Sequence, residues 1–203
     1  MKKADAEVEH ALGLLLDKID GMLRGSGYAG PPVGMFLAGG LAVNFYCGSR
    51  HTMDVDAVFS RRLLLDHKSL VIDYVSPVGE PTFLYLDPNF NPDFALLHED
   101  YRDDAVEWEG IGNERRLVQL FVFSPADLAI SKLSRFSADD RADIMALALD
   151  GLITVETVRA RAEEAMVYYV GNTAFLKENL DFACEQIREV EPEKRKPSGP
   201  VAV

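Results

Sequence analysis

The apolar positions of this chain fall into two rhythms that change places along its length. From residue 5 to 25, Val8, Leu12, Leu15, Ile19 and Leu23 recur at helical spacing, and the stretch GSGYAGPP closes the segment. VGMFLA then reads as a buried strand. GGLAVNFYCG reads as a helix packed just behind it and ended by Gly48, and MDVDAVFS as one further strand. RRLLLDHKSL predicts a short helix, and VIDYVS and PTFLYLD predict strands. The second of these ends in the turn-rich DPNFNPD. LVQLFVFS is the last predicted strand.

After Pro125 the period becomes helical throughout. PADLAISKLSR, ADDRADIMALALD, TVETVRARAEEAMVYYV and NTAFLKENLDFACEQIREV follow one another, with Gly151 and Gly171 as breaks. The pattern predicts an α/β (α+β) protein. Residues 1–124 would form a mixed sheet flanked by helices, and residues 125–190 a helical bundle. The polar tail from residue 191 to 203 reads as disordered.

Composition narrows the function classes. With 203 residues, 48% of them hydrophobic, the chain has enough apolar material for one sizeable core. The net charge of -12 argues against tight nonspecific binding to nucleic acid, which needs clustered Lys and Arg. Only Cys47 and Cys184 occur, and neither has zinc-ligand spacing. The N-terminal segment is too acidic for a signal peptide, and no apolar run is long enough to span a bilayer. The expectation is a soluble, cytoplasmic protein.

Candidate chemistry concentrates between Phe36 and Ser60. Asp54 and Asp56 stand at i and i+2, which on one strand puts both carboxylates on the same face. Such a pair is repulsive unless a positive charge lies between its members. Hard oxygen donors suit Mg²⁺, with Mn²⁺ as the substitute. Judged alone, the pair is better explained by a solvated strand face. Gly39 and Gly40 close a strand and open a helix, where bare N–H groups favour an anion. A plain tight turn explains them equally well. The intervening helix can return both features to one end of a sheet. Arg50, just before the aspartates, is placed to reach a phosphate oxygen.

A glycine pair, a short helix and DxD on an apolar strand together resemble the nucleotidyltransferase superfamily with the DNA polymerase β-like fold. The longer stretch AGGLAVNFYCGSRHTMDVDAVF resembles the small bacterial members related to the AbiEii and MenT toxins. In those, an arginine and a threonine also precede the aspartates, here Arg50 and Thr52. SPADLAISKLSRFSADDRADI is similar to their later helical segment, in which a helix lysine faces the nucleotide. The resemblance covers residues 33–60 and 120–150.

This likeness implies transfer of a nucleoside monophosphate from an NTP to an acceptor. Asp54 and Asp56 would hold the metal and serve catalysis. Gly39, Gly40, Arg50, Thr52, Lys132 and Arg135 would bind the nucleotide. Lys132 and Arg135, three apart, would share one helix face with Asp127 near its start. The competing reading of Lys132 is an ordinary exposed lysine. For Asp140 and Asp143, surface salt bridging is preferred. Active members add a third carboxylate that takes the acceptor's proton. Asp87 at the end of PTFLYLD is the first choice, against a plain turn role before Pro88. Asp93, Asp104 and Glu107 lie in looser sequence. His51 and His98 lack ligand spacing, Trp108 suits packing better than base stacking, and the acidic run EDYRDDAVEWEG reads as a solvated loop.

The acceptor stays open between RNA, a protein hydroxyl and a small molecule. The resemblance also implies a toxin role with a cognate antitoxin partner. Two alternatives remain: an inert member that binds a nucleotide or a partner protein, and a docking module built on the helical half.

Overall fold

The computed structural model of the protein describes residues 4–48 and 52–191; Arg50, His51 and the tail beyond residue 191 lie outside the described residues. Helix α1 (Ala6–Gly25) is the predicted amphipathic helix, and Val8, Leu12, Leu15, Ile19 and Leu23 are all buried. Each such side chain contributes roughly 1.5–3 kcal/mol when fully buried. The helix lies against strands β4 (Val71–Val75) and β5 (Pro81–Leu86). Lys18 Nζ fastens it there by donating to the carbonyls of Ser69 and Val71, at 2.9 and 2.8 Å.

The strands form two mixed sheets. In the larger, β1 (Val33–Leu37) is flanked by β3 (Ala57–Phe59) and β7 (Val118–Val122), and β6 (Val106–Glu107) adds to β7. Strand β1 is antiparallel to β3 and parallel to β7. In the smaller sheet β5 is central, parallel to β2 (Asp54–Val55) and antiparallel to β4.

The single strand predicted over MDVDAVFS is thus two strands in two sheets. The cause is a change of hydrogen-bond partner at Asp56. The carbonyl of Val55 accepts from Asp87 N–H at 3.1 Å, whereas that of Asp56 accepts from Ala38 N–H at 2.8 Å. Asp54 and Asp56 therefore do not occupy one uninterrupted strand face.

RRLLLDHKSL is not a helix either. Leu63 and Leu65 pack on the core while Leu64 is fully exposed, an alternation of period two. Only His67–Ser69 makes a 3₁₀ turn, capped by Asp66. Strand β6 falls inside the segment expected to be a solvated loop. The wholly buried Trp108 anchors it, donating its backbone N–H to Leu120 at 3.1 Å.

Helix α2 (Gly39–Cys47) ends at Gly48, whose φ of 65° is the left-handed cap glycine favours. The helical half holds α3 (Pro125–Ser131), α4 (Ala138–Leu149), α5 (Val155–Tyr168) and α6 (Thr173–Val190). Side chains cap their starts: Ser124 for α3, Ser137 with Asp140 for α4, Thr154 with Thr157 for α5 and Asn172 for α6. Helix α2 packs on α3 and α4, and α6 on α4 and α5. One apolar cluster therefore runs from Val8 to Ile187. Helix α3 stops at Ser131, so Lys132 is its C-cap and Arg135 lies in the link to α4; the two do not share a helix face. Among the described residues no helix is long and apolar enough to cross a membrane.

Candidate active site

Asp56 is the point where the two sheets meet. Strand β2 is parallel to β5, so Asp56 falls opposite Asp87; β3 is antiparallel to β1, so Asp56 also falls opposite Ala38. The C-terminal ends of β1, β2, β5 and β7 converge there. A cavity of about 570 Å³ opens at this junction. Crevices at strand C-termini are a common location for ligands in open α/β sheets.

Asp54, Asp56 and Asp87 all line the cavity. Burial, reinforced by the charges of Asp54 and Asp87, pushes the Asp56 carboxyl up to about 6 against the opposing pull of Lys132 and Arg135. Thr52, also in the lining, donates its hydroxyl to Asp54 Oδ1. Asp87 Oδ1 accepts from Asn89 N–H at 2.8 Å. Its turn role and its place at the cavity rim, which the sequence set against each other, coexist.

Gly39 and Gly40 supply the neighbouring wall. Gly39 has a φ of +63°, and an added Cβ would lie 2.8 Å from Asp56 Cγ and overlap its carboxylate oxygen. Glycine is required here both for backbone conformation and for space. The N-cap of α2 is Ala38, which offers no side-chain oxygen to the first amides of the helix. They face the same end of the fold as the carboxylates.

Lys132 and Arg135 also line the cavity, and both are engaged by acids. Lys132 has a side chain only 5% exposed; its Nζ donates to Asp143 Oδ2 at 2.6 Å and lies 3.8 Å from Asp140. Asp140 and Asp143 are buried, not the surface salt-bridging residues expected. Arg135 grips Asp140 through two bonds of 2.8 and 2.7 Å. Burial would raise the Asp140 carboxyl, but hydrogen bonds from Arg135 and Ser137 outweigh it and hold the group at about 2. Asp127 faces elsewhere: fully buried, it receives two 2.8 Å bonds from Arg161.

Asp93, Asp104 and Glu107, the other candidates for the third carboxylate, do not line the cavity. Asp104 pairs with Arg161 at 2.8 Å, and Glu107 accepts from Asn113 at 3.2 Å. Trp108 packs on Phe45, ring centroids 4.6 Å apart. His98 is buried, 3.3 Å from Glu164.

What sequence reasoning missed is the segment after Asp87. Asn89, Phe90, Asn91 and Phe94 line the cavity from a stretch legible only as turn-rich. Two aromatic residues among turn formers were the available signal. Asp140 was likewise marked by its place three residues after the Ser137 cap.

Asp54, Asp56, Asp87, Asp139, Asp140 and Asp143 outnumber the two basic residues of the lining. Charge of this sign is complementary to a cation, or to an anion that brings one. Among the described residues no three His, Cys, Asp or Glu side chains are grouped to hold a metal by themselves. Mg²⁺ commonly uses one or two carboxylates with waters and substrate phosphates, so an adjacent pair is a fitting donor set.

The fold is thus a mixed α+β one, with an acidic cavity at the strand ends that a glycine turn helps to wall. The chain matches the model of a family described as nucleotidyltransferase of unknown function (DUF6036) over residues 25–190, and it belongs to that family. Neither a comparison with curated proteins nor one with solved structures finds a match. The family points to a nucleotidyltransferase role with an NTP as substrate.

Proposed function

We propose that the protein is a Mg²⁺-dependent nucleotidyltransferase that moves a nucleoside monophosphate from an NTP to an acceptor hydroxyl. The observation that carries this reading is the convergence of Asp54, Asp56 and Asp87 beside Gly39, with Asp56 raised to about 6 by burial and by its neighbours. Mg²⁺ on Asp54 and Asp56 would neutralise the triphosphate and the charge that develops in transfer. Thr52 holds Asp54 in orientation. The first amides of α2, at Gly39 and Gly40, bind phosphate oxygens. Asp87 takes the proton of the acceptor hydroxyl as its oxygen attacks the α-phosphorus. The bond from that phosphorus to the bridging oxygen breaks, and pyrophosphate leaves. Lys132 acts on the site's potential from within its ion pairs. Arg135, with a side chain 74% exposed, reaches the cavity mouth.

The resemblance to AbiEii and MenT proteins extends the proposal to a toxin with a cognate antitoxin. Expression of the wild type should then slow growth, and Asp54→Ala with Asp56→Ala should restore it; a double variant as toxic as the parent rejects the catalytic toxin.

The direct test is calorimetry with ATP, GTP, CTP and UTP, with and without Mg²⁺, followed by pyrophosphate release with candidate acceptors. Binding should need both Mg²⁺ and Asp56, and Asp56→Ala should lower turnover by roughly a hundredfold or more. Mg²⁺-dependent binding without any pyrophosphate release would favour the inert nucleotide-binding alternative.

A further inference from the structure

Phe94 stands apart from the apolar residues around it. In the segment after Asp87, Leu96 is wholly buried, and Phe90 and Leu97 pack on the core. Phe94 is 77% exposed although it lies in the lining of the 570 Å³ cavity. Its position is built rather than frayed. Asn91 accepts from Asp93 N–H at 3.0 Å and starts the 3₁₀ turn Pro92–Phe94. The backbone amide of Ala95 closes that turn on Pro92 O at 3.0 Å. At its other end the segment is tied to the site, because Asn89 N–H binds the Asp87 carboxylate.

The cavity therefore has two unlike parts. One is ionic, made by Asp54, Asp56, the α2 amides and the ion-paired Lys132 and Arg135. The other is the segment after Asp87, where Phe90, Phe94, Ala95 and Leu97 give apolar surface beside Asn89 and Asn91. A ligand that satisfies both has a flat apolar end and a polyanionic end that carries a cation. A nucleoside triphosphate has that form. An exposed aromatic face at the rim, otherwise costly in water, gains from covering a base.

We infer that Phe94 is the platform on which the nucleobase of the incoming NTP stacks, and that the segment from residue 88 to 97 sets base affinity while the carboxylates set phosphate affinity. This rests on the nucleotidyltransferase reading above. Stacking is tolerant of base identity, so all four NTPs should bind, purines only modestly better.

The test compares Mg²⁺-dependent binding of the four NTPs with that of inorganic tripolyphosphate, on wild type, Phe94→Ala, Phe94→Tyr and Asp56→Ala. Because Phe94 is exposed, neither replacement should disturb folding, and matching thermal unfolding curves will verify this. The wild type should prefer NTPs over tripolyphosphate. Phe94→Ala should weaken NTP binding roughly five- to a hundredfold and leave tripolyphosphate binding unchanged. Phe94→Tyr should restore NTP binding, and Asp56→Ala should weaken both ligands. Equal wild-type affinity for NTPs and tripolyphosphate, or an undiminished NTP preference in Phe94→Ala, overturns the platform while the phosphate site stands. No binding of either ligand by the wild type overturns both readings.

Discussion

The carboxylate of Asp56 occupies the space that a side chain at residue 39 would need. Gly39 adopts a φ of +63°, and a Cβ there would lie 2.8 Å from Asp56 Cγ. Gly39→Ala should therefore destabilise the protein by roughly 2–3 kcal/mol, combining backbone strain with displacement of Asp56. The contrast is Gly21, near the C-terminal end of α1, where an added Cβ meets nothing within 4 Å. Gly21→Ala should stabilise by about 0.5–1 kcal/mol. Urea unfolding of both variants checks the pair of signs. A neutral Gly39→Ala would mean that Asp56 is not held against the glycine.

Asp56 gives a pH dependence with a defined sign. Its carboxyl is raised from the ordinary range to about 6 in the folded, metal-free protein, chiefly by burial and then by Asp54 and Asp87. The folded state therefore binds this proton more tightly than the unfolded chain. Asp56 favours folding most below about pH 4, and its contribution falls as pH rises to about 6. Asp56→Asn should flatten that fall. At pH 7.5 without metal it should be more stable than wild type by about 1–2 kcal/mol, or roughly 2–6 °C in Tm. Comparing wild type and variant in urea at pH 5 and pH 7.5 isolates the residue. Equal stability differences at both pH values would remove the proposed titration.

Lys132 and Asp143 form a buried pair at 2.6 Å, with Asp140 3.8 Å from the same ammonium. Lys132→Met takes the 2.6 Å ammonium from buried Asp143, while Asp140 keeps its bonds from Arg135 and Ser137, and should cost about 3–5 kcal/mol. Lys132→Met combined with Asp143→Leu should cost clearly less than the sum of the single changes. A double-mutant cycle measures this coupling, and additivity would show that the pair does not act as a unit.

Arg161 meets two acids in different surroundings. Asp127 is wholly buried beneath it and Asp104 is half exposed, each with a 2.8 Å contact. Asp104→Ala should cost less than 1 kcal/mol, whereas Arg161→Ala should cost roughly 2–4 kcal/mol by leaving Asp127 uncompensated. Thermal unfolding of the two variants separates the values.

Local patterning was enough for most elements. The period of α1, the glycines at the two ends of α2, and the apolar runs of β1, β5 and β7 depend on residues close together in the chain, so they are legible along it. The same holds for the glycine pair and the aspartates as chemistry-bearing residues. The failures came where partners are remote. Period two predicts one strand through Asp56, but strands bonded to Ala38 on one side and Asp87 on the other divide it. Asp140 and Asp143 read as surface charges until α4 turns them inward onto Lys132. Phe94 is marked in the sequence only as an aromatic among turn formers, and its place in the cavity lining comes from the tertiary structure. Residue type and local period are properties of a short segment of chain. Strand partner, burial of a charge and the walls of a cavity are set by contacts between distant segments, and only the tertiary structure decides those.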